Sequence, residues 1–186
     1  MELDDCIRGR RSVRAYTGKK VPRKAIDSIL EAGTWAPSGM NAQPCEFIVV
    51  EDGKTIKKLS DRTKKILRGM EFSKGFKHML ESDADVIFYG APLLILVCVK
   101  KKDDWKSVNL LDCGLAAQNM FLKAYEEGLG SCFIGFGNFL NSDPKTLSEV
   151  GMPDGYELMA PLIFGYPAEK PEPKPRKTTV LKWVRD

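Results

Sequence analysis

Apolar positions recur with two different periods along this chain, and the switches between them predict its elements. Leu3, Cys6 and Ile7 stand at i, i+3 and i+4, which predicts a short helix over residues 2–9 with Gly9 loosening the backbone behind it. Pro22 suits the first position of a second helix, and the stripe Ala25, Ile26, Ile29, Leu30, Ala32 carries it to about Gly33. Phe47–Val50 predicts a short buried strand, turned by Glu51-Asp52-Gly53. Residues 54–68 predict a helix, followed by a mobile segment from Gly69 to Asp85. The run Pro92–Val99 is almost unbroken in its apolarity and predicts a central strand buried on both faces, ahead of a solvated loop over 100–104.

The next segment, 108–127, has helical spacing but apolar residues round most of its circumference: Leu111, Leu115, Ala116, Ala117, Met120, Phe121, Leu122 and Ala124. Such a helix needs cover on more than one side, which points to a subunit interface. Gly128 and Gly130 predict its C-terminal end. Strands are expected at Ser131–Ile134 and Leu158–Phe164, with a short helix between them, capped by Asn141-Ser142-Asp143-Pro144 and ending near Gly151. From Ala168 to Lys177 the Pro-, Lys- and Glu-rich chain predicts an extended arm, and Val180, Leu181, Trp183 and Val184 form a tail apolar enough to dock. With no repeat and no composition break, the expectation is one domain over 1–186, its arm spanning 168–186. Strands and helices mix without strict alternation, so the class is α+β.

Composition narrows the function classes. The apolar share of 43% and charged share of 29% over 186 residues suit a folded domain with a sizeable core. A net charge of +4 fits a small anionic ligand better than a nucleic-acid groove. No run reaches the ~18 apolar residues of a membrane span, and the acidic start Met1-Glu2-Leu3-Asp4-Asp5 is unlike a signal peptide. The five cysteines, Cys6, Cys45, Cys98, Cys113 and Cys132, lack a C-x-x-C spacing. Reduced, mostly buried thiols in a cytoplasmic protein, with no metal site, are the expectation.

Candidate chemistry concentrates in Arg10-Arg11-Ser12-Val13-Arg14. Planar guanidinium forks match phosphate oxygens bidentately, and a hydroxyl adds a neutral donor. On an extended backbone Arg10, Ser12 and Arg14 would share one side and Arg11 and Val13 the other. Lys174-Pro175-Arg176-Lys177 supplies a second basic cluster at the far end. The expectation is that both ends close over one phosphate. Trp35–Pro44, with two prolines, a glycine and several amide or hydroxyl side chains, predicts a shaped loop. Taken singly, each basic run is more often a solvated face and each loop a connection. His78, the sole histidine, is expected in a surface or structural role, not in acid–base work, and Cys45 and Cys132 are expected to pack rather than react.

In order, R-R-S-V-R (10–14), A-P-S-G-M-N-A-Q-P (36–44), G-L-G-S-C-F-I-G (128–135), G-Y-P (165–167) and P-K-P-R-K (173–177) resemble the nitroreductase family of FMN-dependent oxidoreductases. The match covers nearly the whole chain and is weakest over 54–90. The resemblance implies a mixed or antiparallel sheet flanked by helices, in an intertwined homodimer holding FMN at its interface. It further implies that Arg10, Arg11, Ser12 and Arg14 line the ribityl phosphate and the pyrimidine side. Pro37, Ser38, Gly39 and Asn41 would approach from the other subunit, Ile134 and Gly135 would pass the central ring, and Arg176 with Lys174 would close on the phosphate. Relatives often carry His or Ser at the Arg11 position and Lys at that of Arg14. Reduced flavin carries negative charge near N1 and O2, so a fixed cation there, Arg14, stabilises it. The implied activity is two-electron transfer from NADH or NADPH to a small organic acceptor (a nitroaromatic, quinone or enone) by a ping-pong cycle. Rival readings are a reductive dehalogenase, a flavin-fragmenting enzyme, or a flavin-binding module without turnover.

Overall fold

The computed structural model describes residues 1–71, 74–101 and 106–185. Four strands, β1 (Glu46–Val50), β2 (Leu93–Lys100), β3 (Gly130–Phe133) and β4 (Tyr156–Gly165), form one sheet in the order β1-β2-β4-β3. Every neighbouring pair is antiparallel. Helices are α1 (Leu3–Gly9), α2 (Arg23–Thr34), α3 (Gly53–Arg68), α4 (Lys74–Glu81), α5 (Lys106–Glu126) and α6 (Pro144–Ser148). Among the described residues no helix is long and apolar enough to cross a membrane.

The sheet divides the core into two halves, and strand alternation assigns residues to each. Leu93, Ile95, Val97 and Val99 of β2 pack with Ile26 and Ile29 of α2 and Met120 and Ala124 of α5. Leu94, Leu96 and Cys98 pack on the other side with Ile56, Leu59 and Leu67 of α3 and with Leu140 and Leu147. β2 is therefore buried on both faces, as its uninterrupted apolar run predicts. The two longest strands, β2 and β4, take the centre of the sheet, while the shorter β1 and β3 take the edges.

Local signals act where they were expected, with shifts of a residue or two. Pro22 is the N-cap of α2, one place earlier than the first helical position, and its carbonyl accepts from Ala25 and Ile26. Asp143 caps α6 by accepting from the Thr146 amide, with Pro144 as the first helical residue. Gly128, at φ +76°, provides the left-handed residue after α5, and the Leu129 amide closes the end onto Ala124 O at 2.8 Å.

The stretch expected to be mobile differs most. Lys74–Glu81 is helical, and the chain behind it is fastened to α3. Lys64, almost fully buried, donates to the carbonyls of Ser82 and Ala84, and Arg68 donates to that of Leu80. Asp85 accepts from Ser60 Oγ and from the amides of Ile87, Phe88 and Gly90. These long-range donors answer carbonyls that the local sequence leaves open, so periodicity alone could not reveal them. His78 stands exposed, its Nδ1 3.6 Å from Glu81. Most of the loop expected over 100–104 lies outside the described residues.

Candidate functional site

The segment behind α1 runs along the free side of β3. Ser12 forms a parallel bridge with Ser131, and Val13 N donates to Ser131 O at 3.0 Å. Val13 is buried because Gly130 has no side chain: a Cβ there would sit 2.6 Å from Val13 Cγ2. The segment then meets the exit of β4. Thr17 N donates to Tyr166 O, and Ala168 N donates back to Ala15 O. Both chain ends thus leave the sheet side by side, which returns the C-terminal arm towards the arginines.

Arg10 and Arg176 are brought near each other. Burial, and after it the charges of Arg11 and Arg176, lowers the Arg10 pKa from its ordinary value. Among the described residues no carboxylate pairs with Arg10, Arg11, Arg14 or Arg176. Beside Arg10 and Arg11 a cleft of about 470 Å³ opens, walled by Gly130, Ser131 and arm residues such as Pro167 and Lys170. Glu169 and Glu172 of the arm line the same cleft without pairing with the arginines, so the gathered guanidinium groups keep their donors for a multiply charged oxyanion.

The other arginines behave differently. Arg11 folds back over the end of α1, donating to the carbonyls of Arg8 and Arg10, while its Nε is buried without a partner. Arg14 and Ser12 are exposed, and the Arg14 guanidinium stands 6.0 Å from the Tyr89 ring centroid. Beneath them is Cys132. Burial pushes its thiol up, while Arg14, Ser12 and Arg10 pull the other way without prevailing. Cys132 therefore packs as a neutral thiol. Burial likewise pushes up the Tyr16 phenol, whose hydroxyl donates to Val13 O at 2.8 Å. Lys174 lies exposed on the arm.

The shaped loop lies elsewhere on the chain's surface. Met40, Asn41 and Gln43 all have φ between 46° and 54°, an uncommon conformation for side-chain-bearing residues. Ser38 Oγ accepts from Gln43 N at 2.9 Å, and both carboxylate oxygens of Asp112 accept from Gly39 N at 3.2 Å. Asp112, buried on α5, is a positioning residue the sequence reading missed; its signal was an acidic residue inside an apolar helix. Pro37 and Asn41 are exposed and Ser38 and Gly39 half-buried, and the hydrogen bonds of Ser38 and Gly39 run to Gln43 and Asp112, away from the arginine cluster. Ile134 is buried at the end of β3, and Gly135 begins a 3₁₀ segment with no neighbour closer than Phe133 at 3.9 Å from its missing Cβ.

The model of the Nitroreductase family matches residues 7–166. A protein of Thermotoga neapolitana named iodotyrosine deiodinase is 30% identical, covering 97% of this chain and 97% of that one. An FMN reductase (NAD(P)H) of Bacillus subtilis is 26% identical, over 94% of this chain and 70% of its own. Among solved structures, a nitroreductase with bound FMN from Bacteroides fragilis superposes with a TM-score of 0.84 at 30% identity, covering 99% of this chain and 98% of that one. With the fold, the motif order and the matched span in agreement, this chain belongs to the nitroreductase family.

Proposed function

We propose that this protein is an FMN-dependent oxidoreductase that takes two electrons from NADH or NADPH and passes them to a small organic acceptor, working as a homodimer. The observation that carries the reading is the approach of Arg10 and Arg176, two cations from opposite ends of the chain, neither of them in an ion pair among the described residues. FMN ends in a phosphate dianion, which is the counter-ion such a cluster lacks. Arg10 and Arg176 would hold that phosphate, assisted by Ser12 and Lys174. Arg11 would act through its unpartnered Nε, or only by its charge, because its terminal nitrogens serve α1. Arg14 would supply the fixed positive charge beside the pyrimidine side.

When bound, FMN supplies the two-electron carrier. The open space at Gly135 lets backbone come close to a flat ring, and the exposed Phe133 and Phe136 beside it offer apolar cover. Pro37, Ser38, Gly39 and Asn41 would serve the site of the second subunit. The exposed leucines of α5, Leu110, Leu111 and Leu115, supply the apolar surface for that dimer. Reductant and acceptor would use one open face in turn, a ping-pong cycle. Nitroaromatics, quinones and enones are the acceptor classes. Reductive dehalogenation is a second reading, favoured by the likeness to the Thermotoga protein named iodotyrosine deiodinase.

The purified protein is expected to be yellow. Arg10→Ala combined with Arg176→Ala should weaken FMN retention at least about tenfold, as for lost charge-assisted hydrogen bonds. A colourless protein that takes up no added FMN would sink the reading. Comparing turnover of a nitroaromatic with that of a halogenated phenol separates the two activities.

A further inference from the structure

Two thiols that no part of the proposed reaction uses stand next to the shaped loop. Cys45 follows Pro44 at the foot of β1, and Cys113 is on α5, one residue beyond Asp112. Their sulfurs are 3.5 Å apart although 68 positions separate them in sequence. A disulfide needs sulfurs at about 2.05 Å, so a closure of roughly 1.5 Å joins them. We propose that Cys45 and Cys113 form a reversible disulfide, a redox-responsive fastening of the 35–44 loop to α5.

Three further observations support this assignment. Cys113 is buried at 1% exposure, while Cys45 is half-buried and lines a cavity of about 110 Å³ with Pro37, Ser38 and Gln43. That space admits a peroxide-sized molecule, since a water occupies about 30 Å³ in the liquid. Either sulfur can donate across this contact; with Cys113 the deeper of the two, the contact lowers the Cys45 thiol and raises that of Cys113. The accessible member of the pair is thus also the more acidic one, as an attacking thiol requires. Finally, the loop that ends at Cys45 is already strained and pinned to α5 by Gly39 N on Asp112. A bond at Cys45 adds a second pin on the next residue of the same helix.

With hydrogen peroxide as the oxidant, the Cys45 thiolate attacks one peroxide oxygen and the O–O bond breaks. The released hydroxide takes up the proton that Cys45 gave up and leaves as water; Cys45 becomes a sulfenic acid. Cys113 sulfur then attacks Cys45 sulfur, and its thiol proton departs with the sulfenic hydroxyl as a second water. Two thiols lose two electrons and one peroxide is reduced to two waters. A dithiol reductant reverses the bond by exchange.

The test treats the full-length protein, as purified, with stoichiometric hydrogen peroxide and maps the products by mass spectrometry after alkylation. A Cys45–Cys113 cross-linked peptide should appear, with Cys6, Cys98 and Cys132 still alkylatable on unfolding, and should vanish with dithiothreitol. Amide hydrogen exchange over 38–43 should slow about fivefold or more in the oxidised form, because local opening is restrained. Cys113→Ser should show neither change. Cys45 and Cys113 both remaining free thiols, or exchange unaltered by the cross-link, overturns the proposal. A third readout, FMN release slowed at least threefold on oxidation, rests on the flavin reading above. If the reduced protein holds no FMN, that reading fails while the thiol and exchange results still decide this one.

Discussion

The two faces of α5 are both apolar and have opposite fates. On one face Cys113, Ala116, Ala117, Met120 and Ala124 are covered by the sheet and α2. On the other, Leu111 and Leu115 are 69% and 46% exposed. The covered face mixes alanines with the larger Met120 and Phe121 and packs closely: a Cβ on Gly33 of α2 would lie 3.0 Å from Met120 Cγ. The open face carries leucines that the described residues cover only in part. Hydrophobicity therefore says that both faces need burial, while the position of the sheet and α2 decides which of them packs within the chain and which is left for a partner.

The sharpest way to break the comparison is a charge on the covered face. Ala124→Glu buries a carboxylate where the residue has 0% exposure, and should cost more than about 4 kcal/mol, leaving little folded protein by circular dichroism. The same change on the open face should act on assembly instead. Leu111→Glu with Leu115→Glu should leave the secondary structure and cooperative unfolding intact. At about 1.5–3 kcal/mol per buried leucine, it should weaken the proposed dimer at least a hundredfold in sedimentation. A double variant that stays dimeric at the wild-type concentration removes α5 from the interface.

Smaller effects sharpen the contrast. Met120→Ala opens a cavity on the covered face and should lower stability by roughly 2–4 kcal/mol in urea titration without changing oligomeric state. Away from both faces, Asp143 is held below the usual carboxylate range by the Thr146 hydroxyl and then by its pairing with Arg62. Its contribution is present above the unfolded carboxylate's value and is lost as pH falls through the lowered folded one. The melting-temperature gap between wild type and Asp143→Asn should therefore be constant above about pH 5 and shrink below about pH 4.

Periodicity and end signals made most of the fold legible: the two-sided burial of β2, the glycine end of α5 and the Asp143–Pro144 cap all stand in the local sequence. The register of β3 against residues 12–13 does not, because it depends on Gly130 meeting Val13, a fit between positions over a hundred residues apart. The candidate site divides the same way. Its arginines announce themselves by residue type. That Arg11 turns back to cap α1 while Arg10 turns towards Arg176 is decided by which carbonyls and charges lie nearby. Asp112 and the Cys45–Cys113 pair were hidden for the same reason, each lying far in sequence from what it touches.

By itself, then, the amino-acid order determined most of the helices and strands, though not α4, and which side chains could hold an anion, since those depend on neighbours within a few positions. Only the tertiary structure decided the pairing of the chain's two ends, the anchoring of the segment behind α4 and the meeting of two distant thiols. Such contacts arise when the sheet's order and the helices' packing bring remote positions together, and no local period encodes them.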